Sequence, residues 1–227
     1  MQDLNIKECI DFGWATCKKR FPLFIAAVSV LLLVTIVTNQ FSSAATTMLG
    51  ALPGGALGLL VSLVVNTLVV IGFTSLFLSA HDDVTAPTLR DLWYPKPFVQ
   101  YIFASFVSTA IVLVGYLLLI IPGIILSLAL CFTSLLVIDK DMDALEAMKE
   151  SVRITKGNRL KLLGLFLFFL VLNVIGVLML FVGLLVTLPV SYMAFVHAYR
   201  VLSGSETVED VIPKEVVSGG DLPTIPV

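Results

Sequence analysis

Residues 120–165 read IIPGIILSLALCFTSLLVIDKDMDALEAMKESVRITKGNRLKLLGL. The stretch passes from a Pro-Gly pair through an apolar run into a charged segment, and then returns to an apolar run. The charged segment, residues 143–158, has apolar residues at helical spacing, but it is too short and too charged to cross a bilayer. We therefore expect an amphipathic helix that lies in the membrane interface between two membrane-spanning helices.

The composition of the whole chain is that of an integral membrane protein. Of its 227 residues, 58% are hydrophobic and 13% are charged, and the mean hydropathy is +1.03. These values exclude a soluble globular domain. Six runs contain no Asp, Glu, Lys or Arg and are long enough to span a bilayer as helices. They are residues 21–38, 55–80, 99–121, 122–138, 162–181 and 183–199.

Two junctions between consecutive runs predict tight hairpins. Pro122 lacks an amide hydrogen and clashes with the preceding turn, whereas Gly123 tolerates a chain reversal, so this pair predicts the first turn. Gly176, Gly183 and Pro189 predict the second hairpin turn, around residues 181–185. Without these turns, each pair of runs would form one helix of about 60 Å, twice the thickness of the bilayer core.

The distribution of charge predicts the orientation of the spans. All fourteen Lys and Arg residues flank the runs on alternate sides, while the three connections expected as outer loops or turns, residues 39–54 and the two hairpin turns, carry no charge. Because cytoplasmic loops are enriched in Lys and Arg, we expect both termini in the cytoplasm. Trp14 beside Lys18 and Lys19 is typical of an anchor at the cytoplasmic interface.

These observations predict an all-α polytopic integral membrane protein. Its six transmembrane helices form three hairpins, with amphipathic helices on the cytoplasmic face. We expect a membrane domain over residues 1–202. The segment 203–227, which is net acidic and contains Ser-Gly, Gly-Gly and two prolines in its last five residues, predicts a disordered cytoplasmic tail.

The charged segment has the start and stop signals of a helix. Asp143 and Glu146 have the spacing of a capping box, and Gly157 predicts the end of the helix. We expect Leu145, Met148, Val152 and Thr155 to share the apolar face, with Glu146, Lys149, Glu150 and Arg153 on the opposite face. The basic residues then become candidates for contact with lipid head groups or a protein partner. These candidates are Lys149, Arg153, Lys156 and Arg159.

A calcium loop is the competing interpretation of this segment. Asp139, Asp141, Asp143 and Glu150 occupy positions 1, 3, 5 and 12 of an EF-hand pattern. The sixth position, which requires glycine for the tight turn, is Ala144. A capping box would also make the chain helical where a calcium loop is irregular. We therefore predict no metal site here.

Within residues 120–165 the sequence resembles the glycerophosphoryl diester phosphodiesterase membrane-domain family and related stand-alone bacterial multi-pass proteins. The matching positions are Ile121, Pro122, Gly123, Asp139, Ala144, Leu145, Ser151, Thr155, Gly157 and Asn158. The resemblance implies a topology and a location in a bacterial-type cell (inner) membrane. Some members of that family carry a fused phosphodiesterase domain, but the resemblance does not carry hydrolysis over to this chain.

The sequence offers no pattern typical of an active site. The two histidines, His81 and His197, lie at the ends of predicted spans, and His81-Asp82-Asp83 is the only compact cluster in the sequence that combines histidine with carboxylates. Phosphodiester hydrolysis requires several ligands around a metal, so we interpret this cluster as a solvated helix end. We predict no catalytic residue, cofactor or metal, and a protein that is not an enzyme.

Two functional hypotheses remain. The leading one is an accessory or scaffold protein that acts through its cytoplasmic interfacial helices, with membrane lipids and a membrane or cytoplasmic protein as partners, and no nucleic acid. The alternative is a transporter or lipid-handling protein for an uncharged or lipid-like substrate. No Asp, Glu, Lys or Arg lies within a span and both histidines lie at span ends, so Asn66 and Asn173 are the intramembrane polar candidates, either for substrate or for hydrogen bonds between helices. The sequence does not indicate an oligomeric state.

Overall fold

The computed structural model describes residues 4–19, 21–82, 98–179 and 183–204, and every regular element in these ranges is an α-helix. The helices follow one another with short connections wherever the connection is described. They are α1 (Ile6–Lys19), α2 (Phe21–Leu49), α3 (Ala51–Asp82), α4 (Phe98–Leu118), α5 (Ile120–Ala129), α6 (Thr133–Lys140), α7 (Ala144–Thr155), α8 (Arg159–Leu178) and α9 (Leu184–Ser203).

Six helical stretches are long and apolar enough to cross a membrane, which confirms the predicted all-α polytopic class. Five of them are single helices, and the sixth, Ile120–Lys140, combines α5 and α6. The sequence predicted one uninterrupted span over residues 122–138. The structure instead breaks the helix between Ala129 and Thr133, for a reason that lies in α7 and is described below.

The α2–α3 hairpin is longer than predicted. Residues 39–54 were expected to form an outer loop, but α2 continues to Leu49, and the reversal occurs at Gly50, which has a positive φ of 89°. The two helices approach closely there, because a methyl group on Gly54 would overlap the backbone of Ala45. With 29 and 32 residues, α2 and α3 are about 44 and 48 Å long, well beyond the bilayer core.

The reversal between α4 and α5 lies three residues before the position predicted for it. Leu119 leaves the helical conformation, with φ −166° and ψ 150°, and α5 begins at the next residue. Pro122 and Gly123 lie inside the first turn of α5. Proline is tolerated there because the first amides of a helix have no partner within it. Gly123 lets the two helices approach, since a methyl group on it would meet the ring of Tyr116 at 2.5 Å.

The third hairpin falls between Leu178 and Leu184, close to the predicted turn. Gly176 and Gly183 pack against each other, and a methyl group on Gly183 would lie 2.7 Å from Cα of Gly176. The last helix, α9, ends at Ser203, and Gly204 follows with a φ of 68°. The remainder of the predicted disordered tail, residues 205–227, lies outside the described residues.

The buried side chains concentrate at one end of the bundle, where α3, α6 and α9 terminate. We call this end the charged end, because Asp82, Asp139 and Arg200 meet there. The largest fully buried side chains include Tyr199 and Phe77, in helices that reach this end, and Phe132, which immediately precedes α6. The opposite half of α2 and α3 is exposed and apolar, with Leu33 at 64% and Leu59 at 72% exposure.

Candidate functional site at the charged end

A buried arginine joins three helices at the charged end. Arg200 of α9 donates to Asp139 Oδ2 of α6 at 2.9 Å and to Asp82 Oδ2 of α3 at 2.5 Å. Its side chain is only 10% exposed. The hydroxyl of Tyr199 donates to the same oxygen of Asp139 at 2.7 Å. A buried charge requires a partner, and here two carboxylates from different helices supply it.

Two histidines lie directly beside this network. Nε2 of His81 and Nδ1 of His197 are 3.1 Å apart, and both residues are buried. One ring therefore donates to the other. Phe12 of α1 stacks on His197 with the ring centroids 4.2 Å apart, and contacts His81 with the centroids 4.8 Å apart. The histidine pair thus connects α3 to α9, and the ring of Phe12 packs against both histidines.

The sequence interpretation missed this arrangement. It treated His81 and His197 as two separate helix ends and His81-Asp82-Asp83 as solvated, whereas His81 is 4% exposed and half of the Asp82 side chain is exposed; Asp83 lies outside the described residues. The available signal was Arg200, a cation at the end of an otherwise apolar span, with Asp82 and Asp139 in equivalent positions on two other helices. Charges at such positions are expected to pair when the helix ends converge.

Asp139 and Asp141, two members of the calcium-loop pattern, have local roles that the structure defines. Asp139 accepts from Tyr199 and Arg200, as described above, and Asp141 takes the left-handed conformation with φ 51° at the end of α6. Within the described ranges, no group of three or more His, Cys, Asp and Glu side chains converges on a point where a metal ion would fit.

The amphipathic helix α7 is bonded to the break between α5 and α6. The Ser151 hydroxyl donates to the carbonyl oxygen of Ala129 at 2.8 Å and accepts from the amide of Phe132 at 3.2 Å. Thr155 donates to the same Ala129 carbonyl at 3.5 Å. A helix break leaves backbone groups without partners inside the helix, and α7 supplies these partners from fully buried side chains.

The buried face of α7 is rotated from the predicted one. Met148 and Thr155 are buried as expected, but Leu145 is 58% and Val152 37% exposed. The buried face also contains small and polar side chains, which a hydrophobicity pattern alone does not assign to a buried face. It consists of Ala144, Ala147, Met148, Ser151, Ile154 and Thr155. The apolar side of α7 therefore packs on the bundle.

The predicted ends of α7 are confirmed in position. Asp143 occupies the N-cap with extended backbone angles, although its side chain makes no capping hydrogen bond. Gly157 has a φ of 93°, a conformation that favours glycine, and it ends the helix as expected.

Three of the four predicted contact residues lie at the surface. Lys149, Arg153 and Lys156 are exposed, and Arg159 at the start of α8 is half-buried. Arg153 binds the carboxylate of Glu150 through two of its guanidinium nitrogens, Nε at 2.7 Å and Nη2 at 2.5 Å. This bond lowers the pKa of Glu150 below its usual value. The outer surface of α7 therefore carries both signs of charge.

The two asparagines differ in what they bind. Asn66 donates only to the carbonyl of Ser62 in its own helix, at 2.8 Å. Asn173 donates to Phe169 in its own helix at 2.8 Å and to Oγ of Ser191 in α9 at 3.3 Å. Asn173 thus makes the interhelical hydrogen bond that was one of its two predicted roles.

Together, the helices and the absence of strands from the described residues define an all-α multi-pass membrane protein. Residues 97–216, just over half of the chain, match the family described as "Domain of unknown function (DUF7847)", and the chain belongs to this family. These matches do not show the expected link to the glycerophosphoryl diester phosphodiesterase membrane domain.

The chain is also similar to curated bacterial proteins. It is 28% identical to "Uncharacterized protein Rv2560" of Mycobacterium tuberculosis over 126 residues, 56% of this chain and 39% of that protein. It is 29% identical to "UPF0259 membrane protein PC1_1998" of Pectobacterium carotovorum over 104 residues, 45% of this chain and 42% of that protein. The chain therefore spans about two fifths of the length of these relatives. No solved structure matches.

Proposed function

We propose that this protein is a non-enzymatic accessory protein of the cell membrane, which presents the outer face of α7 to a protein partner in the cytoplasm. The observation that carries this proposal is the attachment of α7 through Ser151 to the break between α5 and α6. The attachment fixes the helix on the bundle and leaves its opposite face outward. A rigid, solvent-facing helix is a suitable platform for a partner, because little conformational entropy is lost on binding.

The chemistry of the outer face favours a protein over lipid head groups. An interfacial helix binds lipid by burying its apolar side among acyl chains, but the face of α7 that carries Ala147, Met148 and Ile154 is already buried in the protein. Its outer face combines exposed Leu145 and Val152 with charges of both signs, including the Glu150–Arg153 pair. Mixed charges around apolar side chains are typical of a protein interface.

The orientation and the absence of catalysis are parts of the same proposal. The described Lys and Arg residues of α1, α6, α7 and the start of α8 flank the apolar stretches, and the positive-inside rule favours a cytoplasmic position for them. At the charged end, Arg200 binds both Asp82 and Asp139. This mutual pairing supports a structural role for the network.

Site-specific photocrosslinking in intact cells tests the proposal. A photoreactive amino acid replaces Leu145 or Val152 on α7, and Leu167 on α8 serves as a control that is 55% exposed on an apolar flank. We expect one discrete protein adduct from both α7 positions and none from Leu167. Charge reversal at Lys149 should reduce the yield of that adduct at least several-fold.

Lys7→Glu is the matched control, because Lys7 is also an exposed lysine but lies on α1. The adduct should persist at full yield in this variant. Adducts that contain only phospholipid at positions 145 and 152 would contradict the proposal and favour contact with head groups. An adduct that Lys149→Glu and Lys7→Glu reduce equally would also contradict it.

A lateral cleft favours the alternative of lipid handling. The cleft, of about 390 Å³, lies between α4, α5 and α8 and is lined by Tyr116, Ile124, Ser127, Leu128, Leu163 and Phe166. Its apolar walls fit an acyl chain. If the protein handles lipid there, purified protein in vesicles should accelerate transbilayer movement of a fluorescent phospholipid, and Leu163→Trp should slow it. A rate equal to that of protein-free vesicles would refute this alternative.

A further inference from the structure

The first helix is seated tightly on α9, at a surface distinct from that of α7. Gly13 faces the backbone of α9, where a methyl group would lie 2.8 Å from the carbonyl oxygen of Val190 and 3.1 Å from Cβ of Ala194. The middle of α1 is thus held against α9, since Phe12, the residue before Gly13, stacks on His197. The side chains that flank Gly13 on the outer side of α1 therefore have fixed positions relative to α8 and α9.

An apolar crevice opens on both sides of Trp14, between α1 and the α8–α9 hairpin. We call it the Trp14 crevice. Its larger lobe has a volume of about 260 Å³ and is bounded by Phe168 and Leu172 of α8. Its smaller lobe has a volume of about 130 Å³ and is bounded by Lys18 and Phe21. Trp14, Val186 and Val190 border both lobes.

The charges around the crevice differ between its two lobes. Lys18 borders the smaller lobe, and the exposed Lys19 follows it. The carboxylate of Asp11 belongs to the larger lobe, on the other side of Trp14. Burial raises the pKa of the Cys17 thiol to about 12, so the thiol adds no negative charge to the smaller lobe at neutral pH. The smaller lobe is therefore the cationic one.

We propose that the Trp14 crevice binds one phospholipid with an anionic head group, whose acyl chain lies against Val186 and Val190 and whose phosphate binds Lys18 and Lys19. The apolar walls fit the chain, and the position of the lysines at one lobe fits the head group. Trp14, 56% exposed between the two, has the amphipathic ring that prefers the boundary between chains and head groups. The site is separate from α7 and goes beyond the accessory function.

Quenching of Trp14 fluorescence tests the site. The chain has two tryptophans, and Trp93→Phe leaves Trp14 as the only one. The full chain is reconstituted in phosphatidylcholine vesicles that contain a small fraction of either phosphatidylglycerol or phosphatidylcholine with brominated acyl chains. We expect brominated phosphatidylglycerol to quench Trp14 at a mole fraction at least five-fold lower than brominated phosphatidylcholine does. The reason is that one lysine near the surface contributes about a five-fold preference for an anionic lipid.

Lys18→Gln should lower this preference about five-fold, whereas Lys7→Gln, a change of the same charge at the far end of α1, should leave it unchanged. High salt should also lower the preference of the protein that retains Lys18, because salt screens the attraction between lysine and phosphate. This measurement tests the site even if Lys18→Gln fails to fold. Equal quenching by the two lipids would overturn the proposal. So would a preference that Lys18→Gln leaves at its full value, or the absence of quenching by either lipid.

Discussion

The α2–α3 hairpin and the charged end are built on opposite principles. In the outer part of α2, Thr46 and Thr47 donate to carbonyls three and four residues earlier in the same helix. At the charged end, Arg200 binds residues 61 and 118 positions away. The hairpin satisfies its polar groups locally and is held by close backbone contact, whereas the charged end depends on side chains from distant parts of the chain.

This difference indicates where substitutions should matter. Side chains on the exposed part of the hairpin face the apolar solvent that the membrane supplies, so most changes there should have little effect. At the charged end, each polar side chain satisfies a partner on another helix, and removing it leaves that partner buried without a hydrogen bond. We expect thermal unfolding of the purified protein in one detergent to separate the two regions.

The largest effect should follow Arg200→Leu. The change leaves the largely buried carboxylate of Asp139 without its cation, which should cost about 3 kcal/mol of unfolding free energy. Arg153→Leu is the matched control, because Arg153 is 74% exposed and an exposed ion pair contributes little to stability. Equal shifts in Tm for the two variants would contradict the assignment of Arg200 as a buried connector.

Ser151→Ala should have the next largest effect. It removes the acceptor of the Phe132 amide and the donor to Ala129, and leaving such buried groups unsatisfied costs about 2 kcal/mol. Ser127→Ala serves as the control, since the Ser127 hydroxyl bonds only to Ile124 in its own helix. Amide exchange at Phe132 should accelerate in Ser151→Ala alone. Unchanged protection there would refute the role of α7 in stabilising the break.

A smaller effect is expected from glycine substitutions in the hairpin. Gly54→Ala forces a methyl group against the backbone of Ala45, and the cost of overpacking exceeds the gain in helix propensity by about 1 kcal/mol. Gly55→Ala is the control in the adjacent position, because its methyl group would lie 3.8 Å from Cγ2 of Thr46, an ordinary contact. Gly55→Ala should raise Tm slightly. A lower Tm in both variants would show that the close approach of the two helices at Gly54 is not what makes Gly54→Ala destabilising.

The smallest effect should come from Thr47→Val on the exposed surface of α2. Its hydroxyl bonds only to carbonyls of the same helix, so the change should alter the unfolding free energy by less than about 0.5 kcal/mol. Thr155→Val, at a fully buried position that also reaches Ala129, should be clearly more destabilising. The comparison between the two regions fails if the two threonine substitutions are equivalent.

The comparison also explains which predictions succeeded. Uncharged apolar runs revealed the spans, because the bilayer sets a length that any sequence must meet. Gly157 marked the end of α7 by a local conformational preference. The loop predicted over residues 39–54 was wrong, because polar and small residues resemble a loop in sequence, yet Thr46 and Thr47 bond within the helix and Gly54 permits close packing.

The sequence by itself determined the class of the protein, the number of apolar stretches and the place of the charged helix between two of them. These properties depend on composition and on patterns within a few turns of helix. Only the tertiary structure decided that His81 and His197 meet and that Arg200 joins α3 to α6. It also decided that Ser151 hydrogen-bonds the backbone at the break between α5 and α6. Each of these contacts joins residues from different helices, and their pairing depends on how the helices pack, which no local pattern encodes.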